Sequence, residues 1–400
     1  MPASRPPNEQ VYLDHAAATP LDPEVAVAMA EAARVAFANP SSPHAAGRAA
    51  KRILEDSREQ ILGALGGRVG GGVRDRLVFT SGATEANRLA LLGLAGPHGT
   101  RSSGGVVAIS ARDHSSLRAA AADLGTSGWQ VVELPLVRAG AVDFVHACSL
   151  PASPGPRILA TTTVCGQTGI RDDLEGAATL AAAGWLVHAD ATQGAAWDEL
   201  AFATSPWATL ALAPHKFGGP RGIGGLVVKS DCPLVPLAPG PQELGLRGGT
   251  EAVSLAAGFA RAVQLARADR EEAGKRIAAL RERLERGIVV AARTAGIDAV
   301  VVGADTTRAP HVTLVTLAGL DRQAAAMAAD LSGVCLATGT ACASGSAEPP
   351  AILAALGLPE RSRTGGLRLS LARTTTEADI EHAVARLEVV FGRLGPKPQP

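Results

Sequence analysis

Aromatic side chains are scarce, at 3% of 400 residues with a single tyrosine. That scarcity argues against an aromatic binding platform and leaves the core to Ala, Val, Leu and Ile, packed with close backbone approach. Cysteine is sparse as well. Cys148, Cys165, Cys232, Cys335 and Cys342 form no CxxC and repeat no ligand spacing. Neither a disulfide framework nor a metal site is indicated, and a reducing, intracellular setting is the expectation. Lys+Arg and Asp+Glu are both 38 with no long single-sign run, so the basic footprint of a nucleic-acid binder is missing. No apolar stretch is long enough to span a bilayer, and the opening MPASRPPNEQ has no apolar signal region after Arg5. A soluble, cytoplasmic protein with no membrane or direct nucleic-acid partner is expected.

What is abundant is small and aliphatic: 46% hydrophobic residues and 45 glycines. Four hundred residues exceed the size at which one core stops growing, so two domains are expected. Residues 1–10 and the final PKPQP are Pro-rich and read as unpacked tails. Between them strands and helices alternate. LVFT (77–80), GVVAIS (105–110), WQVVELPL (129–136), RILATTT (157–163), GWLVHAD (184–190), ATLALA (208–213) and GGLVVK (224–229) are short apolar strands. Helical stretches separate several of them, including 45–65, with Ile53, Ser57, Gln60 and Ala64 near one face, and the run that follows SGATEAN. This alternation predicts an α/β fold with helices on both faces of a sheet. The pattern changes after LRGGT (246–250). A long helical run from Glu251 to about Val290, with room for one break, leads to strands at 311–317 and 366–372 and helices near 321–331, 350–357 and 376–392. These form a smaller α+β domain.

Two of the strands end in chemistry. Asp190 closes GWLVHAD, and Lys216 follows ATLALA in APHKFGG, so both can sit at the carboxyl ends of parallel strands, where open α/β sheets bind ligands. An amine that captures an aldehyde and a carboxylate that holds a pyridine nitrogen protonated are what pyridoxal 5'-phosphate requires of a protein. SGATEAN (81–87) joins a strand to a helix through small residues, so the Ala83 and Thr84 amides and the Thr84 hydroxyl can close on a phosphate. Arg368, in LRLSLA, offers a guanidinium fork to a carboxylate. Arg373 competes for that role, but an offset of five puts it on the opposite face of a regular strand. Cys342 lies in TGTACASGSAEPP, a stretch of small residues that predicts a surface loop able to carry a thiol.

VYLDHAAATP, NPSSPHAAGR, LVFTSGATEANRLAL, HADATQ, APHKFGGPRGIGG, LRGGTE, TGTACASGSAEPP and LRLSLARTTTEADI, collinear over nearly the whole chain, resemble the class V aminotransferase group of fold-type I pyridoxal-phosphate enzymes, and within it the NifS/IscS-type cysteine desulfurases. The resemblance implies a large, mostly parallel seven-stranded domain over 15–255 and a smaller one built from 1–14 and 256–400. It further implies His114 stacked on the cofactor ring and available as a proton shuttle, Gln193 at the phenolic oxygen, and His215 at the phosphate. Thr250 would reach the phosphate of the second subunit of a homodimer, and Asn39 would join Arg368 at the substrate carboxylate. The implied reaction takes sulfur from L-cysteine onto Cys342 for a protein acceptor, iron–sulfur cluster assembly being one use. A lyase or transaminase without persulfide relay, and a non-enzymatic scaffold, are the competing readings. The chain departs from the pattern at Gly166, where the group has asparagine, and at Ala213, where it has serine.

Overall fold

The computed structural model describes residues 10–96, 104–137, 140–150, 155–339 and 351–396. The expected tails lie largely outside these, and Cys342 lies wholly outside them. The chain opens with strand β1 (Val11–Tyr12) and helices α1 (Pro23–Val35) and α2 (Ala45–Ala64). An alternation follows: β2 (Arg76–Thr80), α3 (Ala83–Ala95), β3 (Val106–Ser110), α4 (Ser115–Thr126), β4 (Gln130–Leu134), α5 (Phe144–Cys148), β5 (Arg157–Thr162), α6 (Leu174–Ala182), β6 (Leu186–Asp190), β7 (Thr209–Leu212) and β8 (Gly224–Val228). Strands β2 to β8 form one seven-stranded sheet in the order β2-β8-β7-β6-β5-β3-β4, in which only β8 runs antiparallel to its neighbours.

Apart from the edge strand β4, the sheet is buried on both faces, which is why its strands read as continuous apolar runs. Alternate residues serve opposite cores. Leu77, Phe79, Val106 and Ala108 pack with Leu54, Ile61, Phe259 and Val263, whereas Val78, Val107 and Ile109 pack with Leu89, Leu94, Leu117 and Leu124. Each such side chain contributes about 1.5–3 kcal/mol on burial. β3 carries β4 on one side and β5 on the other, so the strand order reverses there. Loops leaving the carboxyl ends of β3, β5 and β6 therefore flank a crevice, the place where open α/β sheets bind ligands.

The second half contains α7 (Val253–Ala268), α8 (Arg270–Thr294), β9 (Ala299–Val301), β10 (Val312–Leu317), α9 (Arg322–Leu331), β11 (Val334–Cys335), α10 (Ala351–Ala355), α11 (Glu360–Arg363), β12 (Gly366–Ser370) and α12 (Glu377–Leu394). The break in the long helix falls at Asp269, whose φ of −131° and ψ of 27° are not helical. β10 pairs antiparallel with both β9 and β12. The amino-terminal segment joins this half: β1 runs parallel to β11, Leu13 O accepts from Ser370 N at 2.7 Å, and Val11 and Leu13 pack with Ile277, Leu280 and Leu369. No helix among the described residues is long and apolar enough to cross a membrane.

Candidate active site

β6 delivers Asp190 to the carboxyl edge of the sheet, in register with Thr162 on β5 and Ala211 on β7. The carboxylate is only 3% exposed. Thr192 N donates to Oδ1 at 2.9 Å and Asn87 Nδ2 to Oδ2 at 2.7 Å. Both donors are neutral, and no ion pair reaches Asp190 among the described residues. Buried carboxylates are costly without a charged or strongly hydrogen-bonding partner. A protonated pyridine nitrogen meets that need, so the residue fits pyridoxal phosphate. Asn87, from α3, accepts at Oδ1 from His188 Nε2 (3.0 Å), and His188 Nδ1 lies 2.8 Å from Thr209 Oγ1. Burial lowers the His188 pKa to about 4 and keeps the ring neutral. Asn87 Nδ2 also donates to Ser116 Oγ at 2.9 Å, which lies 2.8 Å from His114 Nδ1. His114 caps α4, accepting at the same nitrogen from Ser116 N.

Lys216 ends a single 3₁₀ turn, Pro214–Lys216, just after β7. Its Nζ donates to Ala16 O and Ala17 O, each at 2.9 Å. Gln193 Nε2 donates to the same Ala16 carbonyl at 2.9 Å, while its Oε1 accepts from His311 Nε2 at 3.1 Å. Thr19 fastens the segment further, its N donating to His215 O and its Oγ1 to Lys216 O. His215 is half-buried and its pKa is lowered to about 4, first by burial and then by the neighbouring Lys216 and Arg221 charges. Opposite, α3 starts at Ala83 behind Gly82, with no side-chain cap bond, leaving its first turn open to an anion. Gly224 lets β8 pass close against this turn: a Cβ there would stand 2.5 Å from the Gly82 carbonyl carbon. Arg247 pairs with Glu85 in that first turn (3.0 Å), and Thr250, three residues beyond Arg247, is exposed.

Arg368 projects from β12 and is buried. Its guanidinium pairs with Asp14 Oδ1 at 2.8 Å and donates to Gly166 O at 3.1 Å. Arg373 instead donates to Leu265 O and pairs with Asp269, tying down the junction of α7 and α8. Asn39 occupies an exposed turn where its Oδ1 accepts from Ser41 N, and no hydrogen bond or ion pair joins it to Arg368. A Cβ on Gly166 would lie 3.4 Å from Gln193 Cγ and Nε2, in ordinary contact, so a side chain there would pack against Gln193. Cys165 is buried among Leu314, Ile352 and Leu353. Ala337, two residues beyond β11 and five before Cys342, exchanges backbone hydrogen bonds with Arg368.

The sequence named Lys216, Asp190, Gln193, His114 and Arg368; Asp14, Asn87, Ser116 and His311, which hydrogen-bond to them or connect them, were not foreseen. A signal for Asn87 was present, since it interrupts the buried helical stripe of Ala86, Leu89, Ala90 and Leu94 with a polar side chain.

Residues 11–383 match the Aminotransferase class-V family. The chain is 34% identical over 394 residues to an IscS-like cysteine desulfurase of Mycobacterium tuberculosis (strain ATCC 25618 / H37Rv), covering 96% of each. It is 32% identical over 389 residues to a cysteine desulfurase of Cereibacter sphaeroides, covering 96% of this chain and 97% of the other. A solved NifS-like protein from Rickettsia africae ESF-5 superposes with a TM-score of 0.82 at 26% identity, covering 96% of this chain and 99% of that one.

Proposed function

The chain belongs to the aminotransferase class-V family, and on that footing we propose that it is a pyridoxal 5'-phosphate-dependent cysteine desulfurase, which takes sulfur from L-cysteine, releases L-alanine and leaves a persulfide on Cys342. One observation carries the reading. The segment Asp14–Ala17 gathers three groups from distant parts of the chain, with Asp14 on Arg368 and the Ala16 carbonyl on both Lys216 and Gln193. A lysine for the cofactor aldehyde, an amide for its phenolic side and an arginine for the substrate carboxylate thus share one short support.

Bound there, the cofactor supplies a sink for the electron pair left on the substrate α-carbon. Asp190 holds the proton of the ring nitrogen. The Ala83 and Thr84 amides, the Thr84 hydroxyl and His215 hold the phosphate, with Thr250 reaching across from a second copy of the chain in a homodimer. Lys216 Nζ is the base for the substrate α-proton, and His114 is the alternative. Arg368 takes the substrate carboxylate with Asn39. The Cys342 thiolate attacks the substrate sulfur: the S–S bond forms as the carbon–sulfur bond breaks, and the carbon keeps the electron pair and is protonated to give alanine. The pairing of Ala337 with Arg368 supports this role, because the segment that carries Cys342 departs from beside the substrate arginine. The persulfide then serves a protein acceptor. The same reading divides the chain into a large unit, 15–255, and a small one, 1–14 with 256–400.

The test is incubation of the purified protein with L-cysteine and a reductant, following alanine, sulfide and the mass of the Cys342 peptide together. A persulfide adduct on Cys342, with alanine formation lost in Cys342→Ala, is the expected result. Alanine and sulfide formed at the parent rate by Cys342→Ala would move the assignment to a direct lyase. A protein that binds no pyridoxal phosphate would leave only the scaffold.

A further inference from the structure

The side chains around Asp190 form one directional chain of hydrogen bonds, and its direction can be worked out atom by atom. Asp190 as a carboxylate offers only acceptors, so the Asn87 atom 2.7 Å from its Oδ2 is the amide nitrogen. That orientation sends the second amide hydrogen to Ser116 Oγ and leaves Asn87 Oδ1 to accept from His188 Nε2–H. The reverse orientation would set a carbonyl oxygen against the carboxylate. His188, neutral in its buried position, then carries its proton on Nε2 and accepts at Nδ1 from the Thr209 hydroxyl. At the other end, Ser116 Oγ has already accepted from Asn87, so its own proton goes to His114 Nδ1. The Ser116 amide points at the same nitrogen from 3.2 Å. With two donors on Nδ1, a neutral His114 has its proton on Nε2.

We propose that Asn87 is a positioning residue that couples the two sides of this site: it aims the Asp190 carboxylate and, through Ser116, fixes the His114 imidazole in the Nε2–H form. The proposal rests on the assignment of Asp190 and His114 to the cofactor given above. Its own content is the link between them, spanning 103 residues of sequence between Asn87 and Asp190 and 29 between Asn87 and Ser116. Asn87 is fully buried, so no surface role explains a polar side chain there. All of its hydrogens and its oxygen are used inside the chain. A histidine locked in one tautomer presents a proton donor at a fixed ring atom, which a base or shuttle needs before any proton moves.

The experiment uses full-length, pyridoxal-phosphate-loaded protein labelled with ¹⁵N-histidine. Nine histidines give the signals, and His114→Gln identifies that of His114. The expected spectrum shows an unprotonated Nδ1 and a protonated Nε2 at His114. Asn87→Asp turns the Ser116 hydroxyl toward the new carboxylate and away from His114, so the His114 signals should shift toward mixed tautomers, with faster release of the cofactor. Ser116→Ala leaves the Asn87–Asp190 bond in place but only the 3.2 Å amide on Nδ1, so it should move the His114 signals in the same direction by a smaller step, with parent-like cofactor release. It should lower kcat for alanine formation about tenfold, with KM for L-cysteine within about twofold. His114 signals unchanged from the parent in Ser116→Ala would overturn the proposal, whether or not Asn87→Asp folds. A parent protein that makes no alanine would count against the desulfurase reading alone, since the tautomer measurement does not depend on turnover.

Discussion

Asp190 receives two hydrogen bonds, both from neutral donors, and has room in its role for a charged partner. Asp190→Asn should keep the covalent attachment of pyridoxal phosphate at Lys216, trapped by borohydride, while the exchange of the L-cysteine α-proton in D₂O slows about 100-fold. That factor corresponds to losing a hydrogen bond to a charged group, about 1.5–3 kcal/mol. An unchanged exchange rate would remove Asp190 from the ring. The departures at Gly166 and Ala213 are tested in the opposite direction. A Cβ at Gly166 meets Gln193 at ordinary contact distance, so Gly166→Asn with Ala213→Ser should fit and slow cofactor release about tenfold through the added hydrogen bonds. Release at the parent rate would mean that existing contacts already compensate. Lys216 and Asp190 were legible in the sequence because each follows an apolar strand, whose end is a predictable place. Asp14, Ser116 and His311 were not, because a polar residue in a loop or at a helix start is ordinary until its partner, far away in the chain, is known.

Elements were legible to the extent that they carry a period. All seven strands of the large sheet were foreseen to within a residue or two, and the long helix with its break was foreseen as well, though it runs on to Thr294. The three-residue β9 and the two-residue β1 and β11 are too short to show alternation, and only their partners make them strands. On α2 the element was right but the face was not: Ala50, Leu54, Ser57, Ile61 and Leu62 are buried while Gln60 is exposed. The inward face is shifted because Arg58 turns inward to Glu243, with Nη1 at 2.9 Å from Oε2 and Nη2 at 3.2 Å from Oε1. Glu243 also accepts from Phe79 N, so one carboxylate fastens α2, β2 and a turn in which Glu243 and Leu244 have φ of 47° and 59°. Such φ values are unfavourable for residues with side chains. Glu243→Gln removes one charge of a buried pair and should cost about 3 kcal/mol of unfolding free energy, read from urea denaturation. A loss below about 1 kcal/mol would show that the turn holds without the charge.

For the whole molecule, acidity is the condition to which buried imidazoles respond. Burial lowers the pKa of His15 to about 4 and that of His311 to about 3, from 6.5. In the unfolded chain both regain protons near 6.5, so below that value the unfolded state binds more protons than the folded one. Their contribution is fully present above pH 6.5 and is lost as the pH falls toward 4, by about 3 kcal/mol for each ring at pH 4. Denaturation midpoints should hold from pH 7.5 to about 6.5 and fall from there to 4.5, and a profile flat below 6.5 would mean that neither ring is held neutral. The closure of the fold on itself was the least legible feature, because the joining of the amino-terminal segment to β12 depends on residues more than 350 positions apart. That separation acquires a meaning during synthesis. Asp14 leaves the ribosome 354 residues ahead of Arg368, a wait of roughly 20–70 s at about 5–20 residues per second. Through that interval the large sheet can form, and the strap that carries the Ala16 and Ala17 carbonyls can be held by Thr19, Gln193 and Lys216 alone, without the anchors at β11 and Arg368. Anchoring of the strap at its Asp14 end is therefore among the last events in the maturation of a nascent chain, and a polypeptide stalled before Gly366 would hold its lysine against a strap tied at one end only.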